Sequence, residues 1–140
     1  MNSEITSFIC PVRVAPLEEF LVSLTFKNTG TEIWINSGTN PVRLGSSQPR
    51  DNNTWRLNRV DLNQDVNPQE EVVFSFVCKA PGSGGSYTIA WELVQEGITW
   101  FGSVAYRVIY VDPMKKIEDQ NDIIIVLLTR LVDGLTSKGV

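Results

Sequence analysis

Four tryptophans, two cysteines and a scatter of acidic residues are the side chains of this 140-residue chain whose types could do chemistry, and no histidine stands among them. Trp55 follows the polar stretch Gln48-Pro49-Arg50-Asp51-Asn52-Asn53-Thr54, and Trp100 sits beside Phe101. A flat indole on a loop or hairpin is a good recognition surface, able to stack on a sugar ring or a partner side chain. The competing reading makes both rings anchors tucked against the edge of the fold. Without histidine the chain lacks the commonest general base, the commonest metal ligand and every Ser-His or Cys-His pair. Asp61-x-Asn63-x-Asp65 opens like a calcium loop, but the sixth and twelfth positions are Val66 and Val72 where Gly and Glu are required. Gly82 to Gly85 lacks the frame of a phosphate cradle. Glu92 and Glu96 read as exposed charges at a strand end. No catalytic residue, metal or cofactor is expected, and the chain reads as a non-enzyme.

Cys10 and Cys78 lie 68 positions apart without a CxxC pair. Both read as small buried hydrophobes, and a disulfide stays open if they fall on facing sheets. Twelve Lys and Arg against sixteen Asp and Glu give a net charge of -4, so there is no cationic excess for phosphates and nucleic acid is not the expected partner. The first residues show neither a positive n-region nor a long apolar run, so no secretory signal is expected. The longest strongly apolar run, Ile123 to Leu128, is far short of the roughly twenty residues a membrane span needs.

The elements that must position these residues are strands. Phe20, Val22, Leu24 and Phe26 alternate with Leu21, Ser23, Thr25 and Lys27, which predicts a half-buried strand over 19–27. Asn28 to Thr31 reads as a turn, Ile33-Trp34-Ile35 as a short strand and Val42 to Leu44 as an edge strand. Val72, Phe74, Phe76 and Cys78 form a second one-faced set, and Tyr87, Ile89, Trp91 and Leu93 a third. Gln95-Glu96-Gly97 reads as a hairpin connection, with the return through 98–101 and 104–111. Six to eight short strands with regular turns and no intervening helix predict an all-β, antiparallel, Ig-like sandwich over residues 1–111. Trp34 and Trp91, on apolar-phased strands, are expected in its core.

FKNTGTEIW, then APGSGGSYTIAWEL, then VQEGITWFG and a last strand resemble the Ig-like "four-tryptophan" domain. That domain is known as the central domain of some selective-autophagy receptors and occurs in bacterial and phage-associated proteins. The likeness covers about residues 12–111. Trp34 and Trp91 match two of the four tryptophan positions, while Leu24 and Tyr106 stand at the other two. Trp55 and Trp100 lie outside that set and look more like the bacterial version. The resemblance implies a binding or spacer module without catalysis, and peptide binding of the receptor type does not carry over.

Residues 113–138 read differently, as an appended C-terminal helix within a segment spanning 112–140. Pro113 suits a first helical turn, and acidic residues gather toward the N-terminal half. In heptads, Met114, Asn121, Leu128 and Leu135 take the a positions and Ile117, Ile124 and Leu131 the d positions. Ile117, Asn121, Ile124, Leu128, Leu131 and Leu135 are thereby expected at an oligomer interface, in a homotrimer or homodimer. Docking of this helix on the sandwich, or a strand through Ile-Ile-Ile-Val, are the alternatives.

Stand-alone Ig-like proteins of this size resemble the cement or decoration proteins of bacteriophage heads. The expected function is a structural subunit on the outer capsid surface of a virion. Its partners are itself and a major capsid or shell protein, held by multivalent contact. A carbohydrate- or cell-surface-binding module, with Trp55 and Trp100 contacting a glycan, is the alternative.

Overall fold

The computed structural model describes residues 1–117, and these form an all-β sandwich. Eight strands run in the order β1 (Ser3–Ile9), β2 (Arg13–Val14), β3 (Glu19–Asn28), β4 (Val42–Ser46), β5 (Arg59–Asp61), β6 (Glu71–Lys79), β7 (Gly85–Gln95) and β8 (Thr99–Val111). One sheet has the order β1-β3-β6 and the other β2-β8-β7-β4-β5. All pairings are antiparallel except that of β2 with β8, which is parallel.

Period-two alternation explains the layers. Phe20, Val22, Leu24 and Phe26 of β3 are buried opposite Cys78, Phe76, Phe74 and Val72 of β6. The residues between them face outward, so one register fixes the apolar face of the small sheet. The facing sheet contributes Val42 and Leu44 from β4, Ile89, Trp91 and Leu93 from β7, and Phe101, Ala105 and Ile109 from β8. Phe76 meets Trp91 edge-on with centroids 4.8 Å apart, which locks the two sheets together at mid-height. Trp34 and Trp91 are fully buried, as their phase predicts. Burial pushes the Cys78 thiol up to about 12 and raises that of Cys10 against the opposing pull of Arg107. Both thiols are free, so Cys78 acts as a small apolar filler.

Several expectations are corrected. Val42–Leu44 is not an edge strand, because the short β5 pairs on its far side and β7 on its near side. Ile33-Trp34-Ile35 forms only an isolated bridge, in which Trp34 and Val66 exchange two 2.9 Å backbone hydrogen bonds. β1 carries no clean alternation, with a register shift between Ile5 and Ser7, and periodicity did not reveal it. The chain then leaves the small sheet, and β2 joins the last strand of the large one.

No helix begins at Pro113 within the described residues. Asp112 Oδ1 accepts the Met114 N–H at 2.9 Å and its carbonyl accepts the Lys115 N–H at 3.0 Å, closing a turn over 113–115. Lys115 Nζ reaches Glu18 Oε1 at 3.0 Å, and this ion pair holds the turn against the start of β3. The remainder of the expected helix lies outside the described residues.

Candidate functional site

The outward face of the five-stranded sheet gathers the unusual side chains. Strand alternation turns Gly45 of β4 outward, opposite Arg59 of β5 and Glu92 of β7. A Cβ at Gly45 would stand 2.6 Å from the six-membered ring of Trp100, so only glycine lets this indole lie across the sheet. The guanidinium carbons of Arg59 and Arg50 sit 4.9 and 5.2 Å from the Trp100 ring centre. This cation–π geometry is favoured by the negative face of the indole. Arg59 Nε donates to Glu96 Oε1 at 2.6 Å, and its other arm pairs with Asp51. Arg43 pairs with Asp61 at 3.0 Å. The cleft beside them, about 290 Å³, is lined by Asp51, Arg59, Glu96, Ile98 and Trp100 among others.

Glu92 is only 5% exposed, which corrects the reading of it as a surface charge. The cause is the segment after β4, which folds back across β7: the Ser47 N–H bonds the Ala90 carbonyl at 2.9 Å. Ser47 Oγ donates to Glu92 Oε2 at 3.0 Å, and Arg50 Nη2 donates to Oε1 at 3.0 Å. A carboxylate removed from water needs such partners. Its sequence signal is a lone charge inside the apolar stretch Tyr87 to Val94, overlooked because alternation alone marks Glu92 as outward.

Further along the same face, the exposed residues Val104, Tyr106, Val108 and Tyr110 form a ridge on β8. Their cross-strand neighbours on β7 are short: Ala90 faces Tyr106, Thr88 faces Val108 and Ser86 faces Tyr110. The rings therefore stand clear of the sheet, and Tyr106 is 53% exposed. Contiguous exposed apolar patches mark interaction sites in soluble proteins as a class.

The residues singled out from the sequence are scattered by the fold. Trp55 is 2% exposed, packed edge-on to Phe20 and Tyr87, and its indole N–H bonds the Thr88 carbonyl. It presents no face for stacking and serves as the loop anchor. Trp100 is partly exposed, with its ring engaged by Arg50 and Arg59. The two indoles do not form one platform. Of the expected oligomer contacts, Ile117 is exposed, while Asn121, Ile124, Leu128, Leu131 and Leu135 lie outside the described residues. Leu24 is buried in the core and Tyr106 points to solvent. Arg50, Arg59 and Gly45 were not foreseen, since their roles arise only when β4, β5 and β8 share one sheet and the turn after β4 folds over it.

Comparison with known proteins agrees with this architecture. The family described as the Ig-like domain from next to BRCA1 gene matches residues 12–111, from the residues just before β2 to the end of β8. No curated protein matches the chain. The sandwich topology and this match together place the chain in the family of the Ig-like domain from next to BRCA1 gene.

Proposed function

We propose that the protein is a non-enzymatic contact module, serving as a decoration subunit on the outer surface of a bacteriophage capsid. The observation that supports this reading is the Val104-Tyr106-Val108-Tyr110 ridge, which gives a rigid sheet an apolar surface for a shell protein. Virion placement rests on the resemblance of stand-alone Ig-like proteins to phage-head decoration proteins. Self-association through the 112–140 segment would multiply weak contacts on a symmetric shell. A glycan-binding role draws less support, because Trp55 is buried and Trp100 is already stacked by two guanidinium groups.

Co-sedimentation with assembled capsids lacking their decoration protein, against unassembled shell subunits, tests the reading. Binding to capsids alone, lowered at least tenfold by Tyr106→Glu, is the expected result. Absence of capsid binding, or capsid binding indifferent to Tyr106→Glu, overturns it. Light scattering of the full chain and of a version ending at Asp112 tests the tail: a mass that falls on truncation supports it, and an unchanged mass overturns that part.

A further inference from the structure

The two sheets have unequal edges. β5 is three residues long, β2 has two, and β1 carries a register shift, all of which blunt an edge against pairing. β6 has none of these protections. It is nine residues long, pairs with β3 without a shift from Glu71 to Lys79, and contains no proline.

Its free groups follow from the ladder. The Ala80 N–H bonds the Glu18 carbonyl and the Asn28 N–H bonds the Glu70 carbonyl, so even-numbered residues face β3 with their backbone groups. The N–H and C=O groups of Glu71, Val73, Ser75 and Val77 therefore point away from the sheet. Among the described residues, the one backbone partner on that side is the Trp55 carbonyl, which takes the Lys79 N–H at 3.0 Å and marks the end of the open stretch. Val73 and Val77 are 54% and 55% exposed.

The sequence of this strand is self-complementary. Glu71-Val-Val-Phe-Ser-Phe-Val-Cys-Lys79 reads nearly the same in both directions about Ser75. Running two copies antiparallel with Ser75 opposite Ser75 places Val73 against Val77, Phe74 across from Phe76 and Glu71 against Lys79, each twice. The outward groups of Val73, Ser75 and Val77 then exchange hydrogen bonds, while the Lys79 N–H stays with Trp55, so the new ladder spans 73–77 and the opposite charges of Glu71 and Lys79 meet through their side chains at its ends. We infer that β6 is an isologous edge, taking a second copy of this chain across a two-fold axis to join two three-stranded sheets into one of six. This surface is separate from the β8 ridge and from residues 112–140, so it stands or falls apart from the function proposed above.

Two experiments on the full chain test it. In a Cys10→Ser background, Ser75→Cys sets two thiols opposite each other with Cα atoms about 5.5 Å apart, within disulfide reach. It should cross-link to a covalent dimer under mild oxidation, whereas Val77→Cys, displaced from its own copy, should not. A 1:1 mixture of Val73→Cys and Val77→Cys chains should link. Sedimentation should also show Ser75→Lys, which sets like charges on the axis, halving the mass of the wild-type assembly. A monomeric wild type, an unchanged mass in Ser75→Lys, or equal cross-linking of Ser75→Cys and Val77→Cys overturns the inference.

Discussion

The Trp55 indole N–H donates to the Thr88 carbonyl at 3.1 Å, tying the connection between β4 and β5 to the middle of β7. The same ring meets Phe20 of β3 at 5.6 Å, so one side chain spans both sheets from a loop. Trp55→Ala should therefore cost about 3–5 kcal/mol, the range for deleting a buried large aromatic. Trp55→Phe keeps the edge contacts and loses mainly the hydrogen bond, so its cost should be markedly smaller. Urea unfolding followed by far-UV circular dichroism checks both, and an unchanged midpoint in Trp55→Ala would contradict the anchoring role.

Gly45→Ala forces a methyl group into the Trp100 ring, which Arg50 and Arg59 hold in place. The expected loss is about 1–3 kcal/mol, as for other overpacked sites. Combining it with Trp100→Ala should remove most of that penalty. A double-mutant cycle by chemical unfolding reads the coupling, and additive costs would show that the clash relaxes elsewhere.

Arg50→Ala leaves the buried Glu92 carboxylate with Ser47 as its remaining side-chain partner. Half of the Arg50 side chain is in contact with water, so the expected cost is about 1–3 kcal/mol rather than that of a fully buried pair. Glu92→Gln keeps one carbonyl oxygen to accept from Arg50 and places an amide N–H that can donate to Ser47 Oγ, so it should be milder. Thermal melts of the two variants give the ranking, and a costlier Glu92→Gln would reverse the argument.

Asp112 supplies the acid-sensitive contact. The Met114 backbone N–H and the Arg13 guanidinium hold its carboxyl below the usual carboxylate range. A lowered pKa in the folded state means that the carboxylate stabilises the fold above about pH 4, and that this contribution is lost as pH falls through the folded value. Asp112→Asn can still accept the Met114 N–H but loses the ion pair with Arg13. Its melting temperature should lie below that of the wild type at pH 7, with the gap closing below about pH 4. A gap that does not narrow as pH falls below about 4 would trace the effect to something other than charge.

The sequence shows the sandwich where alternation is strong. β3 and β6 declare themselves through Phe20 to Phe26 and Val72 to Cys78, because burying one face of a sheet imposes period two. β7 does so through the alternation of Tyr87, Ile89, Trp91 and Leu93, although the strand is buried on both faces from Ile89 to Val94. β2 and β5 are too short to carry a period, and β1 breaks its own with a shifted register. The site was less legible for a different reason. Trp100 lies more than forty residues beyond Gly45, Arg50 and Arg59, and it meets them only through the folding of the sheet and the turn after β4, which no local pattern encodes. Trp55 shows the reverse case: a tryptophan among polar residues looks like a surface ring, yet its indole reaches the core while its neighbours stay in water.

The parallel pairing of Arg13 with Tyr110 and Val14 with Val111 sets an order of events during synthesis. β2 leaves the ribosome early, but its partner is the last strand of the sandwich, so the large sheet cannot close until nearly all of the domain has emerged. Contacts of such high sequence separation slow folding and leave early strands waiting. β3 and β6 can pair first, but their shared apolar face stays uncovered until β7 and β8 bring the facing sheet, and the N-terminal strap waits for β8 to complete the fold.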